Sequence, residues 1–143
     1  KQEAGAIYDS GNYTAVFEQD LIEAEKEIII SSPQITQDKV ERLIYLMKPR
    51  QEAGVDITVI TENPESDAFH NADFTYTLIE EMKGCGIHTK IADGEAGHFA
   101  VIDQSLVWHG GMNLLGKEDA WDNLIRVRDE RAVEELLEMV EER

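Results

Sequence analysis

Cations are scarce in this chain of 143 residues: 13 Lys and Arg stand against 30 Asp and Glu, a formal net charge of −17. Such an acidic surface repels a nucleic-acid backbone over most of its area, which excludes a broad DNA-coating role. Cysteine is nearly absent. The single Cys85 excludes an internal disulfide and fits a reducing, cytoplasmic compartment. Long apolar runs are missing too, since the longest aliphatic cluster, Ile28-Ile29-Ile30, is far too short to cross a bilayer. No secretory signal pattern is found, so no membrane role is expected. Interdomain linkers, internal repeats and low-complexity runs are also lacking, which leaves 1–143 as a single domain. The chain opens on Lys1 rather than Met, and the expectation is a domain excised from a larger protein. A disordered acidic tail is excluded, because the 42% hydrophobic residues recur in ordered patterns and suffice for a core.

What the chain does have is a recurring type of unit. Val16, Phe17, Leu21, Ile22 and Ala24 mark an amphipathic helix running to about residue 25, opened by Asn12 or Thr14. Glu27-Ile28-Ile29-Ile30-Ser31-Ser32, closed by Pro33, has the length and β-branching of a strand buried on both faces. A second helix is expected over 37–53 on a stripe of Val40, Leu43, Ile44 and Met47, with Gly54 as its cap. Pro49 predicts a kink or an early end there. Residues 55–60 alternate as a strand, 72–83 form a third helix ending at Gly84-Cys85-Gly86, and 87–92 are a third strand. Three βα steps with short connections predict an α/β fold, a mixed, mainly parallel sheet with helices on both faces. The pattern then changes. Residues 98–103 and 106–110 are strands separated by Gln104-Ser105, which calls for an antiparallel hairpin. A strand over 124–128 and a closing helix over 130–142 follow, the helix burying Ala132, Val133, Leu136, Leu137 and Val140.

With Gln104-Ser105 as a two-residue turn, Asp103 faces Leu106, Ala100 faces His109, His98 faces Gly111 and Ala96 faces Asn113. Alternation then gathers Ala96, His98, His109, Gly111 and Asn113 on one face, with Phe99, Val101, Trp108 and Met112 on the other as core. A hairpin face that is small and polar at its open end suits a ligand or anion pocket.

His98-Phe99-Ala100-Val101-Ile102-Asp103, six further residues, and Gly110-Gly111-Met112-Asn113-Leu114-Leu115 resemble the signature of the phospholipase D superfamily. That signature reads His-x-Lys-x4-Asp, followed about six residues later by Gly-Ser-x-Asn. Aligned on Asp103, it places the family's nucleophilic His at Ala96, its Lys at His98, its Ser at Gly111 and its Asn at Asn113. Ser31-Ser32-Pro33 is also similar, and so is the tail Asp122-Asn123-Leu124-Ile125-Arg126-Val127. The wording of the tail is most like phospholipase D-like domains at the C-terminal end of bacterial helicase-type proteins. The resemblance implies a phospholipase D/nuclease-like fold in which two motifs meet across a pseudo-twofold or homodimer axis. One His attacks phosphorus to form a phospho-histidine, the partner His protonates the leaving group, and Lys and hydroxyl groups hold the phosphate charge.

The departures from that pattern decide the functional reading. Ala96 has neither nucleophile nor proton, His98 is only partly protonated near neutral pH where a Lys is fully charged, and Gly111 lacks a hydroxyl. Asp103 and Asn113 can orient and polarise but cannot attack. Loss of a nucleophile costs orders of magnitude in rate. The expectation is a phospholipase D-like, nuclease-type domain with a degraded motif, a homodimerisation or docking module of a helicase-like protein. One alternative is a live, metal-independent phosphodiesterase using His98 and His109, with Asn113 and Asp103 in support. It requires displacing the nucleophile by two residues along a strand, about 6–7 Å. Another is an acidic protein-interaction module.

The remaining candidates point to ordinary roles. His70, His88, His98, His109 and Cys85 match no metal-ligand spacing, so neither metal nor cofactor is expected. Gly84-Cys85-Gly86 reads as a helix-to-strand turn, and Gly110-Gly111 lacks the spacing and the Lys of a phosphate loop. Arg126 and Arg128, with Lys90, are the best candidates for a small nucleic-acid-binding spot, although pairing with surface Glu is the more ordinary role. Trp121, an aromatic among Asp119, Ala120 and Asp122, either packs over the hairpin mouth or anchors a partner.

Overall fold

The computed structural model describes residues 6–65, 72–118 and 121–141. His70, Asp119, Ala120 and Glu142 lie outside these residues, as do the side chains of Val140 and Glu141. The elements run β1 (Ala6–Asp9), α1 (Tyr13–Ile22), β2 (Glu27–Ser31), α2 (Gln37–Glu52), β3 (Asp56–Glu62) and α3 (Ala72–Gly84). They continue with β4 (His88–Ala92), β5 (Phe99–Ile102), β6 (Leu106–Gly110), β7 (Asn123–Arg128) and α4 (Glu130–Glu141). The strands form one sheet in the order β1-β7-β6-β5-β2-β3-β4.

The sheet is mixed and carries helices on both faces, as the βα pattern predicts. β2, β3 and β4 are parallel. The balance, however, is antiparallel: β5 pairs antiparallel with β2, and the β5–β6, β6–β7 and β7–β1 pairings are antiparallel too. Two non-local events shift it. The hairpin docks on β2, and β1, too short to read in the sequence, returns to the last strand with Ile7 opposite Ile125.

The core explains why these segments fold as they do. In β2, Ile28 and Ile30 are fully buried toward the helices α1, α2 and α3, while Ile29 packs on the other face near α4. A strand covered on both sides needs apolar residues at every position, which the Ile triplet supplies. In α2, Val40, Leu43 and Met47 form the buried stripe, and the helix runs through Pro49 to Glu52 instead of stopping early. It closes at Gly54, whose φ of +93° lies in the left-handed region that glycine tolerates best. α1 stops at Ile22, about a turn earlier than expected, and Asn12 Oδ1 accepts the Asp9 amide rather than capping the helix. On the second face, Phe99, Val101 and Val107 pack against Val133 of α4.

Trp108 is the centre of the main core. It is wholly buried, with Phe17 edge-on at 5.4 Å and Tyr8 at 5.1 Å between ring centroids. Its indole N–H must find an acceptor when buried. It donates to Asp20 Oδ2 at 2.8 Å, and Arg126 clamps the same carboxylate at 2.7 and 2.9 Å.

Candidate functional site

The C-terminal ends of β2, β3 and β6 and the starts of β5 and β7 share one end of the sheet. There the loop after β2 is laced to the loop after β6. Ser31 Oγ donates to the Gly97 carbonyl at 2.7 Å. Ser32 Oγ donates to the Gln34 carbonyl and accepts the Leu115 amide. The Gln34 amide donates to Asn113 Oδ1 at 3.0 Å, and the Thr36 amide to the Leu115 carbonyl at 2.8 Å. Ser31-Ser32-Pro33 and Asn113 are thus two halves of one structural lock. Gly110 is needed beside it, because a Cβ there would fall onto the Asn123 carbonyl oxygen.

The hairpin register differs from the expected one by a single residue. Ile102 pairs with Leu106, Val101 with Val107, Ala100 with Trp108 and Phe99 with His109. The tight turn is Asp103-Gln104, with φ values of 54° and 57°, closed by the Ser105 amide on the Ile102 carbonyl. Ser105 is left as an extra residue. A one-residue slip moves a strand's whole side-chain set to the other face. Hence Phe99, not Ala100, stands across from His109, and Trp108 shares its face with Ala100 rather than with Phe99 and Val101.

The cause is the side chain of Asp103. Its carboxylate accepts the backbone N–H groups of Glu25, Lys26 and Glu27 at 2.7 to 3.2 Å. Left-handed backbone costs a non-glycine residue on the order of 1–2 kcal/mol, and charge-assisted hydrogen bonds to otherwise open amides offset it. Asp103 therefore anchors the turn at the hairpin's far end and takes no part in a site with the other motif residues.

Those other residues fall into three further places. The Ala96 amide donates to Glu62 Oε2 at 3.2 Å, so a carboxylate faces the position aligned with the nucleophile. His98 and His109 line a recess of about 410 Å³ beside α4, walled by Phe99, Val107, Ala132, Glu135 and Leu136. His98 Nδ1 is buried there and meets no hydrogen-bond partner among the described residues. Gly111 and Asn113 line a different recess of about 540 Å³, together with Gln34, Met112, Lys117, Glu118, Trp121 and Asp122. The structure does not bring His98 and His109 together with Gly111 and Asn113 as one face.

The second recess holds residues whose importance the sequence pattern conceals. A Cβ on Gly111 would meet Asp122 Oδ1 at 2.7 Å, so the Asp122 carboxylate occupies the room of a side chain. Asp122 is half-buried and makes no hydrogen bond or ion pair among the described residues. Glu118 is bound instead to Lys39 at 2.9 Å, and Lys39 also donates to the Tyr13 hydroxyl. Burial works to discharge Lys39, but the Glu118 and Tyr13 hydrogen bonds outweigh it and hold its pKa above the ordinary value. Asp122 is foreshadowed only as part of the family-like tail, and Glu62 not at all, since strand-to-loop proximity of this kind has no local signal.

Arg126 is not a surface cation. Its guanidinium forms the bidentate pair with buried Asp20, which removes it from the expected basic spot. Arg128 lies on the same strand and is exposed. His88 begins β4, at the sheet edge and three strands away from β5, and Cys85 is exposed in the turn before it. No group of three or more His, Cys, Asp or Glu gathers in a metal-holding arrangement among the described residues. No helix among the described residues is long and apolar enough to cross a membrane.

Comparison with known proteins adds the family. The profile of the family described as "Cardiolipin synthase, PLD-like domain" matches residues 17–143. No curated protein sequence matches the chain. Among solved structures, the chain is similar to Nuc of Salmonella typhimurium, a phospholipase D family member. Identity is 12% at a TM-score of 0.73, covering 98% of this chain and 93% of that one. It is also similar to NucT of Helicobacter pylori, with 15% identity, a TM-score of 0.69 and coverage of 97% and 94%. The archaeal chromatin protein TrmBL2 shares the fold at 16% identity and a TM-score of 0.65. There the match covers 98% of this chain and 52% of that one.

Proposed function

The chain belongs to the family of phospholipase D-like domains, and from that premise we propose that it has lost phosphodiester-cleaving chemistry and serves as a dimerisation or docking module. The observation that carries this reading is the pair of carboxylates at the motif's vacant positions. Glu62 receives the amide of Ala96, and Asp122 packs on Gly111. A phosphoryl-transfer site needs an imidazole to attack, another to protonate, and donors or cations for developing negative charge. Ala96 and Gly111 supply none of these, and the nearby carboxylates oppose an incoming phosphate by like-charge repulsion.

The rival in which His98 and His109 carry the reaction has weaker support. The register sets Phe99 across from His109, and buried His98 Nδ1 meets no partner among the described residues that would orient the ring. The larger protein, on this reading, is a cytoplasmic, helicase-type, nucleic-acid-processing one, and the domain dimerises through its motif face. TrmBL2, a chromatin protein whose structure is described as showing a novel mode of DNA binding, offers a precedent for this fold in a nucleic-acid setting. Contact with nucleic acid comes from the parent protein, and Arg126 takes no part in it because Asp20 holds its guanidinium.

The test is incubation of the protein with EDTA, an activated phosphodiester and single-stranded DNA. No turnover above the buffer rate is expected. EDTA-resistant turnover that disappears in His98→Ala would overturn the reading.

A further inference from the structure

We propose that the recess walled by Trp121, Asp122, Met112 and Asn113 receives a nitrogen cation on an alkyl stem, the guanidinium or ammonium of a basic peptide side chain. This rests on the non-catalytic reading above and names a partner for the same end of the sheet.

The recess holds about 540 Å³, ample for one long side chain. Asp122 is half-buried in its lining, and its carboxylate meets no hydrogen-bond donor or cation among the described residues. A carboxylate partly removed from water and left without a partner gains from a charge-assisted donor. Trp121 lines the same recess with 92% of its surface exposed, the best aromatic face for a cation and large enough to cover its stem. Asn113 and Gln34 add neutral polar walls.

Among the described residues, neither Lys39 nor Lys117 pairs with Asp122. Lys39 is held by Glu118 and Tyr13. Lys117 stands exposed on the rim and pairs with no carboxylate among the described residues. An anionic ligand would instead meet the Asp122 carboxylate in the lining, and the chain's charge of −17 draws cations toward the whole surface. A peptide is favoured over a free polyamine because the site offers one carboxylate and one aromatic face, a grip for a single side chain that neighbouring peptide groups must extend.

The test follows the Trp121 indole N–H signal by nuclear magnetic resonance, with the wholly buried Trp108 as internal reference. The probes are a blocked tripeptide carrying two arginines, spermidine, and inorganic phosphate. The tripeptide is expected to shift Trp121 and the Asn113 amide saturably while Trp108 stays still. Asp122→Asn should weaken binding about tenfold, as loss of a charged hydrogen-bond partner does, and Glu138→Gln on α4 should leave it unchanged. Lys117→Ala should tighten it. Saturable phosphate binding, equal peptide binding by Asp122→Asn, or no peptide binding would overturn the proposal. Spermidine binding as tightly as the tripeptide would overturn the peptide source. Phosphodiester turnover would remove the non-catalytic reading whatever the peptide does, whereas absent peptide binding without turnover removes the present inference alone.

Discussion

Asp122 Oδ1 stands over the α-carbon of Gly111, 2.7 Å from where a Cβ would be, with Cγ at 3.1 Å. The two positions have exchanged a side chain: one has none, and the other fills the room. A single reversion toward the family pattern therefore meets a neighbour that must move.

Gly111→Ser is expected to destabilise the fold by about 1–3 kcal/mol, the usual cost of overpacking. Gly111→Ser combined with Asp122→Gly should recover most of the loss. Urea denaturation of the single and double variants measures it, and equal stability of Gly111→Ser and the parent chain would show that the carboxylate swings away freely.

The Asp20–Arg126 pair behaves differently because it is buried and shared with Trp108. Asp20→Ala removes the bidentate partner of a partly buried guanidinium and the acceptor of the buried Trp108 indole, and is expected to cost about 3–5 kcal/mol. Asp20→Ala with Arg126→Met should cost less than the single Asp20→Ala, since the guanidinium that loses this partner is gone. A double-mutant cycle by thermal or chemical unfolding gives the coupling, and a strictly additive cycle would contradict the buried-pair account.

Asp103→Ala removes the acceptor for the amides of Glu25, Lys26 and Glu27 and leaves the left-handed turn unsupported. A loss of about 2–3 kcal/mol is expected. Hydrogen exchange should quicken at the amides of Glu25, Lys26 and Glu27, which lose their acceptor, before it does at the centre of β3. Asp103→Asn should retain part of the stability, as an amide oxygen still accepts and Asn tolerates positive φ.

The elements built on local pattern were legible in the sequence. The Ile28-Ile29-Ile30 run, the Val40-Leu43-Met47 stripe and the Gly54 cap each state their structure within a few residues. What escaped was settled across long stretches of chain. The Asp103 turn is fixed by amides 76 to 78 residues away, so counting from Gln104-Ser105 misplaced every cross-strand pair by one. Arg126, read as a surface cation from its alternation with Ile125 and Val127, is claimed by an Asp 106 residues earlier. The motif residues come from the resemblance to the family signature, and that signature does not say that Asp103 stands at the opposite end of the hairpin from Gly111 and Asn113. Nor does it say that the carboxylate of Glu62, at the end of β3, takes the Ala96 amide and that of Asp122, just before β7, takes the room beside Gly111.

The short strand β1 also guards the sheet's rim. Ala6–Asp9 satisfies the outer backbone groups of β7 and lays Ile7 beside Ile125, which remains 38% exposed. Stripped of β1, the chain would present β7 as a long open edge, a template for foreign strands of the kind that starts aggregation. The four residues of β1 thus cover an edge of β7 that would otherwise lie open, and any shortened version for biochemical work should begin at or before Ala6.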